Sequence, residues 1–141
     1  MAAKAVASLM RTSIGPKGMD KMLVSPDGVV MITNDGATIL EKMEVEHQTA
    51  RLLVDLSKSQ DNEIGDGTTG VVIIAGALLD QAQKLLDKGI HAMKIAEGFE
   101  KACEIAVRQI EHIQQEINIQ KNGNEYLRKC AITALNSKVV S

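Results

Sequence analysis

Residues 65–75 read Gly65-Asp66-Gly67-Thr68-Thr69-Gly70-Val71-Val72-Ile73-Ile74-Ala75, and this stretch decides how the rest of the chain is interpreted. The glycines on either side of Asp66 let the backbone close on a ligand, and the apolar run that follows is typical of a buried helix. Amides at a helix start carry partial positive charge and suit phosphate. Because Asp66 would repel phosphate unless a cation lay between them, the loop indicates a nucleotide bound with Mg²⁺.

The same loop has the G-x-G-x-x-G spacing of the Rossmann dinucleotide-binding fingerprint, and Asp87 stands roughly 20 positions on, as that fingerprint requires. The fingerprint also needs a strand before the glycines. Residues 46–61 instead carry apolar or small residues at helical spacing, namely Ala50, Leu53, Val54 and Ser57. A loop between two helices disfavours a Rossmann-type enzyme, which we keep as an alternative. No Gly-Lys-Thr or Gly-Lys-Ser follows, so the loop is not a Walker A motif either.

Composition indicates one globular domain. The chain has 141 residues, of which 45% are hydrophobic and 24% charged. Its net charge of −2 argues against a nucleic-acid partner. One Phe, one Tyr and no Trp leave no platform on which bases could stack.

The histidines and cysteines show no metal-ligand spacing; they are His47, His91, His112, Cys103 and Cys130. We expect the histidines on helix surfaces and Cys103 in the core. Two unpatterned cysteines fit a reducing cytosol, and no hydrophobic signal segment stands at the start. The longest apolar run, residues 70–79, is too short to span a bilayer, so we expect a cytoplasmic protein without a membrane partner.

Periodicity and turn signals predict a mostly helical domain with one small β-hairpin. Helices are predicted over residues 2–12, 37–43, 46–61, 70–88, 92–117 and 125–135, with a turn at 122–124. Strands are predicted over 22–24 and 29–32, around the turn Ser25-Pro26-Asp27-Gly28. Two strands are marginal alone, so we expect the hairpin to pair with a further strand, one candidate being another chain. Both ends of the chain look cut from a larger protein.

Three loops, residues 14–18, 34–36 and 65–70, are candidates to meet at one site. Hydrolysis of a γ-phosphate needs charge neutralisation and a group that orients water. Asp66 suits the cation, and Asp35 suits the water. Asp35-Gly36 is equally typical of a turn that caps a helix, and Lys138 alone would be interpreted as a solvated lysine.

Three stretches resemble, in this order, the motifs of the equatorial domain of group II chaperonins, the TCP-1 family. They are Ser13-Ile14-Gly15-Pro16-Lys17-Gly18-Met19-Asp20-Lys21-Met22, Thr33-Asn34-Asp35-Gly36-Ala37-Thr38-Ile39-Leu40 and Gly65-Asp66-Gly67-Thr68-Thr69. The first departs from the usual pattern, which has Leu in place of Ile14. Residues 46–48 and 56–64 look most like the epsilon type of the eukaryotic chaperonin's subunits. The resemblance covers the whole chain and implies a mainly α fold, an equatorial-domain helical bundle with a small β-hairpin.

The resemblance also implies a bound Mg²⁺ and ATP or ADP, with hydrolysis in the full-length subunit. It implies that Asp66 holds Mg²⁺ and that Asp35 is one of two carboxylates that orient the attacking water. The residues it implies for nucleotide contact are Gly15, Pro16, Gly67, Thr68, Thr69, Gly70, Ser137 and Lys138. Asn136 stands where family members often have Gly, which weakens the assignment of Ser137 and Lys138.

Partners follow from the same resemblance. It implies paralogous subunits in a hetero-oligomeric double ring, with the hairpin pairing with a neighbour's terminal strands, and unfolded clients such as actin and tubulin. Residues 1–141 would form the N-terminal portion of the equatorial domain, with the connection to the intermediate domain beginning near 137–141. The second catalytic carboxylate would lie outside this chain, so we expect the chain alone to be inactive. A helical scaffold fragment without nucleotide turnover is the second alternative.

Overall fold

The computed structural model describes residues 2–15, 17–43, 45, 47–117 and 119–135. Its helices are α1 (Ala2–Met10), α2 (Gly36–Lys42), α3 (Gln48–Glu63), α4 (Thr68–Asp87), α5 (Ala92–Ile113) and α6 (Ile119–Leu135). A 3₁₀ turn, Arg11–Ser13, follows α1, and two strands, β1 (Lys21–Val24) and β2 (Val30–Thr33), form a hairpin. The prediction of a mainly helical fold with a small hairpin is confirmed.

The chain divides into two compact units. The first comprises the described residues within Met1–Asp80 and Thr133–Ser141, and the second is Gln81–Ile132. The first boundary therefore falls inside α4. The core of the first unit consists of residues from α1, α2, α3 and the start of α4. Its most completely buried side chains are Met10, Ile39, Leu40, Val72 and Ser57.

Helices α1 and α4 cross at two small residues. A Cβ added to Gly76 would lie 2.1 Å from the Cβ of Ala7, so the crossing requires glycine at this position of α4. One helical turn further along, Lys4 Nζ and Asp80 Oδ1 form an ion pair of 2.6 Å. Such a solvent-exposed pair contributes at most about 1 kcal/mol. The contact between the two backbones, and not the ion pair, therefore determines how closely these helices pack.

The hairpin pairs β1 and β2 in an antiparallel register, with Lys21 opposite Thr33 and Val24 opposite Val30. Its turn is closed by a bond from Gly28 N–H to the Ser25 carbonyl of 2.9 Å, and Gly28 has a φ of 80°. Leu23 packs against the core. Several other apolar side chains of the hairpin are exposed; they are Met22, Val24, Val29, Val30, Met31 and Ile32.

Helix α4 forms where it is predicted, but its burial differs from the prediction. Only Thr68, Val72 and Gly76 of α4 are buried. These three residues lie one turn apart on one face of the helix, whereas Ile74 is 62% exposed. The expectation of a buried helix is therefore met on one face of α4 only. Among the described helices, α4 is long and apolar enough to span a membrane by length and composition, a criterion that core helices also meet.

In the second unit, α4 ends as predicted at a glycine. Gly89 has a φ of 83°, its N–H donates to the Leu86 carbonyl, and Ile90 N–H donates to the Leu85 carbonyl. These two bonds form a Schellman motif. The next helix, α5, begins at an N-cap in which the His91 Nδ1 accepts from Met93 N–H at 3.3 Å. His47 caps α3 in the same way, so these two histidines have a capping function that the sequence did not reveal.

Three predictions for the second unit are wrong. Helix α5 ends at Ile113 and not at residue 117. Its last turn is closed by the Gln114 N–H, which donates to the Ile110 carbonyl. Cys103 is exposed and is not a core thiol. Residues 122–124 do not form a turn, since α6 runs through them. Glycine and asparagine cost a helix interior about 1 kcal/mol or less each, too little to break a helix that continues on both sides.

Candidate functional site

The site is a cleft of about 340 Å³ in the first unit, at the end of the bundle where α2 and α4 begin. The residues that line it come from the three predicted loops and from the end of α6. They are Ser13, Ile14, Gly15, Asn34, Asp35, Gly65, Asp66, Gly67, Thr68, Thr69, Gly70, Ala134 and Leu135. A volume of this size lies at the lower end of the range for small-molecule sites.

The loop between α3 and α4 is a tight bend. Gly65 and Gly67 have φ values of 78° and 77°, in the left-handed region that favours glycine. Gln60, in the last turn of α3, accepts from Ile64 N–H and Gly65 N–H through its backbone carbonyl. Its side-chain Nε2 donates to the Asp66 carbonyl at 2.9 Å. One residue therefore holds the bend at three points.

The start of α4 lies directly after this bend. The Gly67 carbonyl accepts from Val71 N–H at 3.0 Å, which makes Gly67 the N-cap. Thr68 is buried, and the Ser57 hydroxyl of α3 donates to its carbonyl at 3.3 Å. The Gly67 N–H donates to the Asp66 Oδ1 at 2.7 Å, so this amide contacts an anionic oxygen. The helix start thus offers amides and hydroxyls to the cleft.

Asp35 is the N-cap of α2. Its Oδ2 accepts from Thr38 N–H at 3.1 Å and from the Thr38 hydroxyl at 2.7 Å. The Asp35 N–H in turn donates to the Thr33 hydroxyl at 3.2 Å. Capping was the alternative interpretation of this residue, and it is the function that the contacts display. The same carboxylate lines the cleft.

The starts of α2 and α4 touch through a glycine. A Cβ added to Gly36 would lie 2.3 Å from the Thr69 hydroxyl oxygen and 2.9 Å from the Thr69 Cα. Only glycine leaves room for this approach. The contact brings Asp35, which precedes Gly36, to the same cleft as the loop that precedes α4.

The first loop contributes a buried hydroxyl. Ser13 is 7% exposed, and its Oγ has no hydrogen-bond partner within the described part of the chain. The loop turns back on itself, because Met19 N–H donates to the Thr12 carbonyl and Gly18 N–H to the Gly15 carbonyl. A Cβ at Gly18 would lie 2.6 Å from the Ser13 carbonyl oxygen. Gly15, at a φ of 82°, lies between them and lines the cleft.

The cleft brings together seven of the residues singled out from the sequence, namely Gly15, Asp35, Asp66, Gly67, Thr68, Thr69 and Gly70. Pro16, Ser137 and Lys138 lie outside the described residues. Three further residues were not identified as site residues from the sequence. Ser13 and Asn34 line the cleft, and Gln60 holds the bend that precedes α4. Asn34 was detectable as a polar residue of the predicted 34–36 loop. Gln60 had no sequence signal, because its side chain contacts a backbone carbonyl beyond the end of α3.

The charged side chains in the cleft indicate which metal ion it could hold. Two carboxylates, Asp35 and Asp66, line it, and among the lining residues in the described ranges there is no Lys or Arg. The described residues hold no group of three His, Cys, Asp or Glu side chains suited to a metal ion. Mg²⁺ needs no such group, because it is usually held by one or two carboxylates together with substrate phosphates. The site therefore fits Mg²⁺ that arrives with a phosphorylated ligand.

Comparison with known proteins gives one family. The TCP-1/cpn60 chaperonin family matches residues 6–141. Similar proteins include the T-complex protein 1 delta subunits of Caenorhabditis elegans, at 55% identity over 141 residues, and of Homo sapiens, at 56% over 140. That of Rattus norvegicus is 57% identical over 140 residues. These matches cover 99–100% of this chain and 26% of each relative, so the chain spans about a quarter of their length.

These relatives do not support the epsilon-type interpretation, since they are delta subunits. That interpretation depended on residues 46–48 and 56–64. Most of the described residues in these stretches lie on the exposed surface of α3 or in the bend that follows it.

Proposed function

Because the chain belongs to the TCP-1/cpn60 chaperonin family, we propose that it is the nucleotide-binding part of an ATP-hydrolysing chaperonin subunit. The observation that carries the proposal is the cleft, in which the start of α4 meets two carboxylates and none of the described lining residues is basic. At these described residues, backbone amides and a bound cation would balance the charge of a triphosphate. This arrangement favours Mg-ATP over a free anion.

In this proposal, the residues at the start of α4 bind the phosphates. The amides of Gly67–Gly70 and the hydroxyls of Thr68 and Thr69 donate to phosphate oxygens, and Asp66 holds the cation. Mg²⁺, when bound, neutralises charge on the phosphate oxygens. The buried Ser13 Oγ, which has no partner in the described residues, is a further donor at the Gly15 side of the cleft. Pro16, Ser137 and Lys138 remain contacts that the family resemblance implies.

Asp35 is proposed to orient the attacking water. The two bonds from Thr38 hold its carboxylate in one orientation at the edge of the cleft. A carboxylate held this way is preorganised to accept a proton from water. Helix capping and water orientation are therefore compatible in one side chain.

The proposed partners are paralogous subunits in a hetero-oligomeric double ring in the cytosol. The exposed apolar residues of a two-stranded hairpin, among them Met22, Val24 and Ile32, support pairing with a further strand from a neighbour. Clients such as actin and tubulin are proposed from the family resemblance alone. The epsilon subunit type likewise remains a prediction from residues 46–48 and 56–64. The absence of nucleic-acid and membrane partners remains a prediction from composition.

The two alternatives have different standing. A Rossmann-type enzyme is disfavoured, because helix α3 and not a strand precedes the glycine loop, and the described residues contain no parallel sheet. A helical scaffold without nucleotide differs from the proposal only in ligand binding. A binding experiment therefore separates it.

The test is ATP binding to the full-length subunit, measured with Mg²⁺ and with a chelator. We expect binding to weaken at least about tenfold without Mg²⁺, and Asp66→Ala to remove this Mg²⁺ dependence and ATP hydrolysis. Asp61→Ala is the control, because Asp61 is exposed on α3 and does not line the cleft. Absence of ATP binding, or equal affinity with and without Mg²⁺, would contradict the proposal.

A further inference from the structure

The peptide unit between Asp66 and Gly67 is held at both of its polar ends. Its carbonyl accepts from the Gln60 Nε2 at 2.9 Å, and its N–H donates to the Asp66 Oδ1 at 2.7 Å. A trans peptide is planar, so its carbonyl and N–H point in opposite directions. A contact that holds the Asp66 carbonyl therefore also fixes the direction of the Gly67 N–H.

Without these two contacts, the backbone would offer little resistance to rotation of this peptide unit on its Gly67 side. Its reversal changes the ψ of Asp66 and the φ of Gly67, and Gly67 has a φ of 77°. A residue without a Cβ adopts either sign of φ at similar cost, so reversal of the 66–67 peptide meets little steric resistance at Gly67. A reversed unit would turn its carbonyl to the side that the N–H now faces. A carbonyl oxygen there would repel a phosphate that the N–H attracts.

We propose that Gln60 is a positioning residue that keeps the Gly67 N–H directed at the phosphate. This proposal rests on the proposed nucleotide function of the cleft. Its side-chain amide donates to the Asp66 carbonyl and so excludes the reversed peptide. In this structure the Gly67 N–H already donates to an anionic oxygen, the Asp66 Oδ1.

Helix termination does not need the Gln60 side chain. The end of α3 is closed by the Gln60 backbone carbonyl, which accepts from Ile64 N–H at 3.0 Å and from Gly65 N–H at 3.2 Å. Those bonds persist when the side chain changes. A substitution at Gln60 is therefore expected to change nucleotide binding without changing the stability of the helix.

The test uses Gln60→Glu in the full-length subunit within its assembled ring. Glutamate has the same shape but presents oxygen to the Asp66 carbonyl, which favours the reversed peptide. We expect the KM for Mg-ATP to rise about tenfold or more, and kcat to change by less than about threefold, because an amide that binds the ground-state phosphate contributes mainly to KM. The thermal unfolding midpoint without nucleotide is expected to stay unchanged.

Gln60→Met and Ser59→Ala complete the experiment. Methionine lacks the donor but does not repel the carbonyl, so we expect a KM between those of the wild type and Gln60→Glu. Ser59 is exposed and its hydroxyl contacts Glu63, so Ser59→Ala is expected to behave as wild type. A wild-type KM in Gln60→Glu, or lowered unfolding midpoints in both Gln60 variants, would overturn the positioning role. Failure of the wild type itself to bind Mg-ATP would instead overturn the proposed function.

Discussion

Asp35 combines two functions in one carboxylate, the capping of α2 and the proposed orientation of water. Asparagine caps helices as well as aspartate does, but it carries no charge and is a poor base. Alanine has neither property. The two substitutions therefore separate the functions at a single position.

We expect Asp35→Asn in the full-length subunit to keep the wild-type unfolding midpoint and to lower ATP turnover about 100-fold, a loss typical of a removed general base. Asp35→Ala should lose the same turnover and in addition about 1 kcal/mol of stability. Nucleotide binding should be retained in both. Turnover at the wild-type rate in Asp35→Asn would remove this carboxylate from the mechanism.

The residues of the cleft were predictable to different degrees. Gly65, Asp66 and Gly67 were visible in the sequence because glycines around a carboxylate, followed by hydroxyls and an apolar helix, form a specific local pattern. Ser13 was not identified as a site residue, because a serine two residues before the Gly15-Pro16 pair has no distinctive chemistry until its burial is known. Gln60 was not predictable at all, since its contact joins a side chain to a backbone carbonyl six residues away.

At the scale of elements, the crossing of α1 and α4 depends on the absence of a side chain at Gly76. We expect Gly76→Ala to destabilise the 141-residue chain by about 1–3 kcal/mol, because its Cβ would overlap that of Ala7. Denaturant unfolding followed by circular dichroism measures this. Adding Ala7→Gly should recover part of the loss, since it removes the atom that clashes.

Gly98 in α5 provides the matched control. A Cβ there would meet nothing within 4 Å, so Gly98→Ala should stabilise the helix by about 0.5–1 kcal/mol. Both substitutions add the same methyl group to a helical glycine. If Gly76→Ala were also neutral or stabilising, the close crossing of the two helices would be wrong.

Periodicity predicted which segments form helices better than it predicted which faces of those helices are buried. Helices α3 and α4 form within two residues of their predicted starts, because apolar spacing and glycine signals act locally. In α5, Ile110 and Ile113 lie one turn apart on an apolar stripe, yet both are more than 60% exposed. A stripe shows that one face of a helix is apolar, and its burial depends on other parts of the protein that the periodicity does not identify.

At the scale of the whole molecule, the proposed mechanism needs more than this chain, which spans about a quarter of its relatives' length. The resemblance implies a second catalytic carboxylate outside these residues. We therefore expect the isolated 141-residue chain to hydrolyse ATP far more slowly than the full-length subunit in its ring. Phosphate release by both proteins under the same conditions measures the difference. Turnover by the isolated chain at the rate of the assembled ring would show that these residues suffice.

A solved structure of the full-length subunit with Mg-ADP would examine the nucleotide site most directly. We expect phosphate oxygens within hydrogen-bond distance of the amides of Gly67–Gly70, the metal ion beside the Asp66 carboxylate, and Asp35 facing the phosphates. A nucleotide bound at a different site, with residues 65–67 serving only to cap α4, would contradict the proposed function.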